Sequence, residues 1–213
     1  MLLGRTNASY PRVWASLAVS SETSPGDLAV AARDLGVPMD ISSQPALWGG
    51  FLRGGTDVLV QRSTSQYERA TSQDHATDLI QAHLIEVLSA VGREMVDFYF
   101  LRVRRVVEEF QINGALAALE FAKQEGHIRH LGLFAEGPAL AVQSLWQFHD
   151  AFEVVLLPDE QSSLRTMASE RRVGVVSLLA RDADLPGGEE TCLATVSTQA
   201  QVSALGEFLG APA

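Results

Sequence analysis

The sequence predicts a (β/α)8 barrel, a TIM-type α/β fold in which eight parallel strands each hand over to a return segment. Two observations predict it. Short, continuous apolar runs alternate with longer stretches of helical periodicity along the chain, and continuous runs mark strands buried on both faces. Several of these runs end on a polar or charged residue at their C-terminal side, the end at which such a barrel builds its site. A length of 213 residues with 46% hydrophobic residues suffices for one substantial core. No linker, low-complexity segment or fixed-period repeat interrupts the chain, so residues 1–213 are expected to form one domain.

The elements follow in order. Residues 1–10 are a short lead-in, and 13–19 read as the first strand. Ser24-Pro25-Gly26-Asp27 supplies the cap of a helix whose apolar face is Leu28, Ala31 and Ala32 and which Gly36 stops. The second strand, 37–41, is very short and ends at Asp40; 42–55 read mostly as loop, with a turn or two of helix at 46–53. Residues 57–60 make the third strand, followed by Gln61 and Arg62, and 63–72 a polar loop. The strongest helix is 74–91, with an expected core stripe of Leu79, Ala82 and Ile85, continued by Leu88 and Val91. The fourth strand runs to Leu101 and presents Arg102 at its tip. A helix at 111–124 turns Ile112, Ala115, Leu116, Leu119 and Ala122 inward and closes at Gly126. Strand five is 127–133, the next helix 138–148, and strand six 152–157, stopped by Pro158. A helix at 159–171, strand seven at 173–179, a loop at 180–190, strand eight at 193–196 and a last helix at 198–209 complete the chain. The crossovers after strands two and seven are shortened, the latter to about a dozen residues, the minimum for a parallel connection.

Composition narrows the function classes. A formal net charge of -10 and a pI near 4.9 argue against a general binder of nucleic-acid phosphates. Lys123 is the only lysine, so any mechanism that needs a catalytic lysine must use it. Cys192 is the only cysteine, which rules out an internal disulfide or a cysteine-rich zinc site. The five histidines are dispersed, His127 and His130 falling on different faces of strand five, so no metal is expected. No apolar run approaches the roughly 18 residues of a membrane span, and a cytoplasmic location is expected.

Three stretches resemble the aldo-keto reductase family. Leu3-Gly4-Arg5-Thr6 resembles its N-terminal hairpin, Val96-Asp97-Phe98-Tyr99-Phe100-Leu101 its fourth strand, and Gly126-His127-Ile128-Arg129-His130-Leu131-Gly132-Leu133 its fifth. The resemblance implies a barrel of that family from end to end, with the two short crossovers as gaps. Members reduce carbonyls with NADPH through an aspartate, a tyrosine, a lysine and a histidine. Here the aspartate falls on Asp40, but the tyrosine falls on Pro45, the lysine on Arg62 and the histidine on Arg102. Proline has no proton to give and arginine holds its own too tightly. Tyr67, in the loop after strand three, is the one tyrosine placed to reach inward as a substitute. The family's Ser-Asn pair that holds the nicotinamide falls on Phe134 and Ala135, and a glutamine of strand six on Leu156. No Lys or Arg follows Arg181 to take the 2′-phosphate, and the N-terminus of the last helix, near Ser197-Thr198, is the remaining anion candidate. No cofactor is therefore expected.

Asp40, Arg62 and Arg102 should converge at the barrel mouth from strands two, three and four. Two guanidinium groups make a bidentate receptor for a carboxylate or phosphate; equally, the three side chains can form an ion network that only fills space. Arg104 and Arg105 extend the basic patch or stand in solvent. Glu136 and Asp159, with Glu160, follow strands five and six and are substrate-binding or acid–base candidates, or favour the N-termini of the helices that follow. Trp48 and Phe134 are expected to wall an apolar pocket there, whereas Tyr99 belongs to the core.

The expected function is a redox-neutral, cofactor-independent enzyme of cyclase, isomerase or lyase type. Asp40, Arg62 and Arg102 would be its catalytic groups, and its substrate a small anionic or carbonyl-bearing molecule. The alternatives are a non-catalytic pseudoenzyme that binds a ligand or protein partner, and an NADPH-dependent carbonyl reductase with a rearranged site. Nucleic acid and membrane are not expected as partners; a homo-oligomer or a partner enzyme is left open.

Overall fold

The structure, a computed structural model, describes residues 2–158, 161–180, 185 and 190–210, apart from the side chain of Phe148. Eight parallel strands close into a barrel in sequence order. They are β1 Val13–Leu17, β2 Met39–Asp40, β3 Leu59–Arg62, β4 Val96–Val103, β5 Ile128–Ala135, β6 Val154–Pro158, β7 Gly174–Leu178 and β8 Thr191–Val196. The helices are α1 Pro25–Leu35, α2 Pro45–Leu52, α3 Gln73–Val91, α4 Glu109–Gln124, α5 Ala139–Phe148, α6 Ser162–Glu170 and α7 Gln199–Gly210. No helix among the described residues is long and apolar enough to cross a membrane.

Strand alternation sorts the core into an interior and a surrounding shell. Trp14, Val60, Phe98, Phe100, Phe134, Val154, Leu156, Val176 and Leu193 fill the barrel, together with Leu3 and Tyr10. The residues between them, such as Tyr99, Leu101, Leu131 and Leu133, pack outward against α3 to α6, and Val13, Ala15 and Met39 against α1, α2 and α7. Gly132 is the space into which Phe100 fits: a Cβ there would lie 2.3 Å from the Phe100 ring. The N-terminal ends of the strands form the floor. A 3-10 turn over Gly4–Thr6 and the bridge between Leu2 and Ser9 press the lead-in against it, a minimal version of the expected hairpin.

Several expectations shift. β4 and β5 run two residues beyond their expected ends, so Arg102 and Phe134 stand inside the sheet, paired in register. β3 reaches Arg62 for the same reason: Arg62 pairs with Phe100. The segment expected mostly as loop after β2 holds α2, opened by Pro45 at the position where proline suits a helix. α6 starts at Ser162, three residues after the expected start. The core stripe of α3 is Ala76, Ile80, Leu84, Val87 and Val91; it shares Val91 with the expected stripe but is otherwise shifted, leaving Ala82 exposed and Ile85 66% exposed. α3 has apolar residues on both sides, and Leu79 and Leu88 are half-buried against the shell. Packing against both α2 and α4 decides a phase that periodicity alone leaves degenerate. The Leu-Pro-Gly-Gly-Glu turn expected at 185–189 lies, but for Leu185, outside the described residues.

Candidate functional site

The mouth is built where strands two to five end. β2 pairs Asp40 with Ser16 on β1 and with Val60 on β3, so Asp40 enters the mouth beside Ser16 and near Arg62. Asp40 is fully buried, and its carboxylate accepts four donors. Ser16 Oγ lies at 2.9 Å and the Ser42 amide at 3.0 Å, the Ser42 hydroxyl also donates, and Arg62 Nη2 lies at 2.8 Å. Ser42 in turn accepts the Arg62 amide at 2.7 Å. Four donors tie the carboxylate into the wall of the mouth.

Arg62 spends one edge on Asp40 and lays its guanidinium over Phe134, 5.3 Å from the ring centroid. Its Nε is buried and has no acceptor among the described residues. Arg102 faces the same ring at 5.9 Å and grips Glu136 with two bonds, Nη2 to Oε1 at 2.6 Å and Nε to Oε2. Arg104 reaches Glu136 from 3.6 Å, so this carboxylate bridges two arginines. The bond from Arg102 holds the Glu136 carboxyl below its ordinary range, against the opposing effect of burial, and raises the arginine correspondingly. The structure therefore brings together Asp40, Arg62, Arg102, Phe134 and Glu136. Phe134 serves less as an apolar wall than as the plate on which both guanidinium groups rest.

Two expected members are elsewhere. Trp48, on α2, is buried in the shell among Leu17, Leu52 and Val91, its indole N–H donating to Ser43 Oγ at 3.2 Å. α2 turns the residue back against the wall, where the indole is fully buried. Tyr67 likewise packs in the shell and donates to the Arg102 carbonyl at 2.6 Å, and burial pushes its phenol well up. Asp159 and Glu160 lie outside the described residues. Arg105 stands exposed, as one of its two readings has it, and also bonds Glu68 in the 3-10 turn at 66–69.

Ser16, Ser42, Ser63 and Glu68 are supporting residues that sequence reasoning missed. Ser63 accepts the Arg102 amide at 3.0 Å, and Glu68 the Arg104 amide at 2.8 Å. Burial pushes the Glu68 carboxyl up against these neighbours. For Ser42 and Ser63 a serine following a strand end was the available signal; Ser16, inside β1, and Glu68 had none.

Among the described residues, the positions that the resemblance assigns to NADPH do not fit it. Phe134 and Leu156 pack in the interior and Ala135 in the shell, and none of these side chains can hydrogen-bond an amide. The amides before α7 are already occupied, Ser197 N–H and Thr198 N–H donating to Gln201 Oε1 at 2.8 and 3.2 Å.

No protein-family profile matches the sequence, and no curated protein sequence does. Solved structures do. The holo form of an aldo-keto reductase from Bacillus halodurans superposes with a TM-score of 0.75 at 15% identity, over 99% of this chain and 90% of that one. An aldo-keto reductase from Klebsiella pneumoniae in complex with NADPH gives 0.75 at 14%, over 99% and 89%. An aldose reductase from Giardia lamblia gives 0.68 at 9%, over 96% and 88%. Identities this low speak for architecture alone, and the architecture of this chain is the aldo-keto reductase fold.

Proposed function

We propose that the chain works without NADPH and that its barrel mouth receives a small organic molecule bearing a carboxylate or a polarised carbonyl. The observation that carries this reading is Arg62. Among the described residues its Nε is shielded from water without an acceptor, while Asp40 holds Nη2 of the same guanidinium and Phe134 supports its face. An unmet charged donor costs about 1–3 kcal/mol, and a ligand oxygen would meet it. Arg102, on the same ring, supplies the second half of a two-point receptor.

A redox-neutral enzyme of isomerase, lyase or cyclase type is the second reading, and Glu136 favours it. A substrate anion that takes Arg102 displaces Glu136, whose carboxyl then returns towards its ordinary range. A freed carboxylate beside a carbonyl polarised by Arg62 can remove a proton from the adjacent carbon.

Calorimetric titration with benzoate, alongside NADPH followed by nicotinamide fluorescence, tests the proposal. Benzoate should bind and lose about tenfold in affinity in Arg62→Met, and NADPH should not bind. Saturable NADPH binding in the micromolar range would sink it.

A further inference from the structure

A second pocket lies on the flank of the barrel, between α2 and α3. It encloses about 460 Å3, the size of a small-molecule site. Pro45, Leu47, Val87 and Ala90 give it apolar walls, and His83 and Glu86 supply polar groups one turn apart on α3.

The state of His83 follows from its partner. Its Nδ1 lies 2.5 Å from the hydroxyl of Tyr99, which is fully buried on the outward face of β4. Burial keeps the phenol protonated, and a buried hydroxyl needs an acceptor. Nδ1 is that acceptor. Burial lowers the pKa of the ring, with Glu86 opposing, so the imidazole is neutral near pH 7. A neutral ring that accepts at Nδ1 carries its proton on Nε2. The pocket thus offers one N–H donor and, from exposed Glu86, one carboxylate. Among the described residues no lysine or arginine lines it. Its charge is opposite to that of the arginine-rich mouth.

We propose that this pocket binds a small primary amine that carries a hydrogen-bond acceptor beside an apolar body. The ammonium pairs with Glu86, the acceptor oxygen takes His83 Nε2–H, and the apolar body packs on Pro45, Leu47, Val87 and Ala90. Ser42 lines the same pocket and also holds Asp40 and the Arg62 amide, so the two sites share a wall.

Phenylalaninamide is a suitable probe, with N-acetylphenylalaninamide as its uncharged control, followed by NMR of the histidine ring nitrogens and the Ala90 methyl. The free protein should show the Nε2–H tautomer at His83. The amine should shift His83 and Ala90 saturably, and the control should bind about tenfold more weakly. Glu86→Gln, an exposed substitution, should weaken the amine by a similar factor, whereas benzoate, the probe of the mouth, should not displace it. The absence of a saturable shift at His83, equal affinity for the two probes, or indifference to Glu86→Gln would each overturn the proposal. So would displacement by benzoate, which would seat the amine at the mouth.

Discussion

At the floor of the barrel Glu153 accepts the Leu131 amide at 3.1 Å, Lys123 Nζ at 2.5 Å and, at 3.5 Å, the ring of His130, whose other nitrogen meets the Tyr10 hydroxyl at 2.9 Å. Beside it Asp97 accepts the Leu59 amide at 2.9 Å and pairs with Arg129 at 2.9 Å. At the mouth Glu136 is held by the side chains of Arg102 and Arg104 and is one-third exposed. Tyrosine, histidine, lysine and carboxylate, the residue types of carbonyl-reduction chemistry, all meet at the floor, yet there they tie strand ends together. The difference teaches that chemistry-bearing residues belong to the fold where they bond backbone amides of neighbouring strands. They are available to a ligand where they bond only movable side chains.

The sharpest break of this comparison is at the floor. Gly4 has φ +47, and a Cβ there would lie 2.0 Å from the Gly174 backbone nitrogen, so the lead-in would have to leave β7. Gly4→Ala should cost about 3 kcal/mol or more, read by chemical denaturation. A loss near zero would mean that the lead-in does not close the barrel.

Glu153 comes next. Burial pushes its carboxyl up, but the bonds from His130, Lys123 and the Leu131 amide outweigh that and bring it to about 2, from an ordinary 4.5. A depressed carboxyl stabilises the fold above its unfolded value. That contribution should be present above pH 4.5 and fade as the pH falls towards about 2. Glu153→Gln should cost on the order of 2 kcal/mol near neutrality and flatten the pH dependence of stability across that window.

The sequence made the scaffold legible where apolar runs are continuous and helices one-sided. β4, β5 and the inward face of α4, with Ile112, Ala115, Leu116, Leu119 and Ala122 buried, stand where periodicity placed them. The convergence of Asp40 and Arg62 was legible because neighbouring strands end together. The grip of Arg102 on Glu136 was not: 34 residues separate them, and only the extra length of β4 and β5 brings them level. Trp48 was misplaced because a loop reading leaves a side chain free to face the mouth. The helix that forms there commits it to the wall.

Arg62→Met sharpens the comparison from the other end. It leaves Asp40 with the donors from Ser16 and Ser42 but no cation, inside a fully buried position. A cost of about 1–3 kcal/mol is expected, less than at Gly4, accompanied by loss of anion binding. Retention of benzoate affinity would place the receptor elsewhere.

Glu136→Gln should have the smallest effect on stability and the most informative one on binding. The pair with Arg102 is one-third exposed on both sides, so its removal should cost less than about 1 kcal/mol. Because Arg102 holds the Glu136 carboxyl low, that small contribution is present above the ordinary carboxylate value and disappears as the pH falls through the depressed one. The neutral amide no longer competes for the guanidinium. Arg102 is then free to turn to a ligand, and benzoate should bind several-fold more tightly than to the unaltered protein. A stability loss as large as that of Glu153→Gln, without tighter binding, would make the mouth a second floor, a closed ion network with nothing to receive.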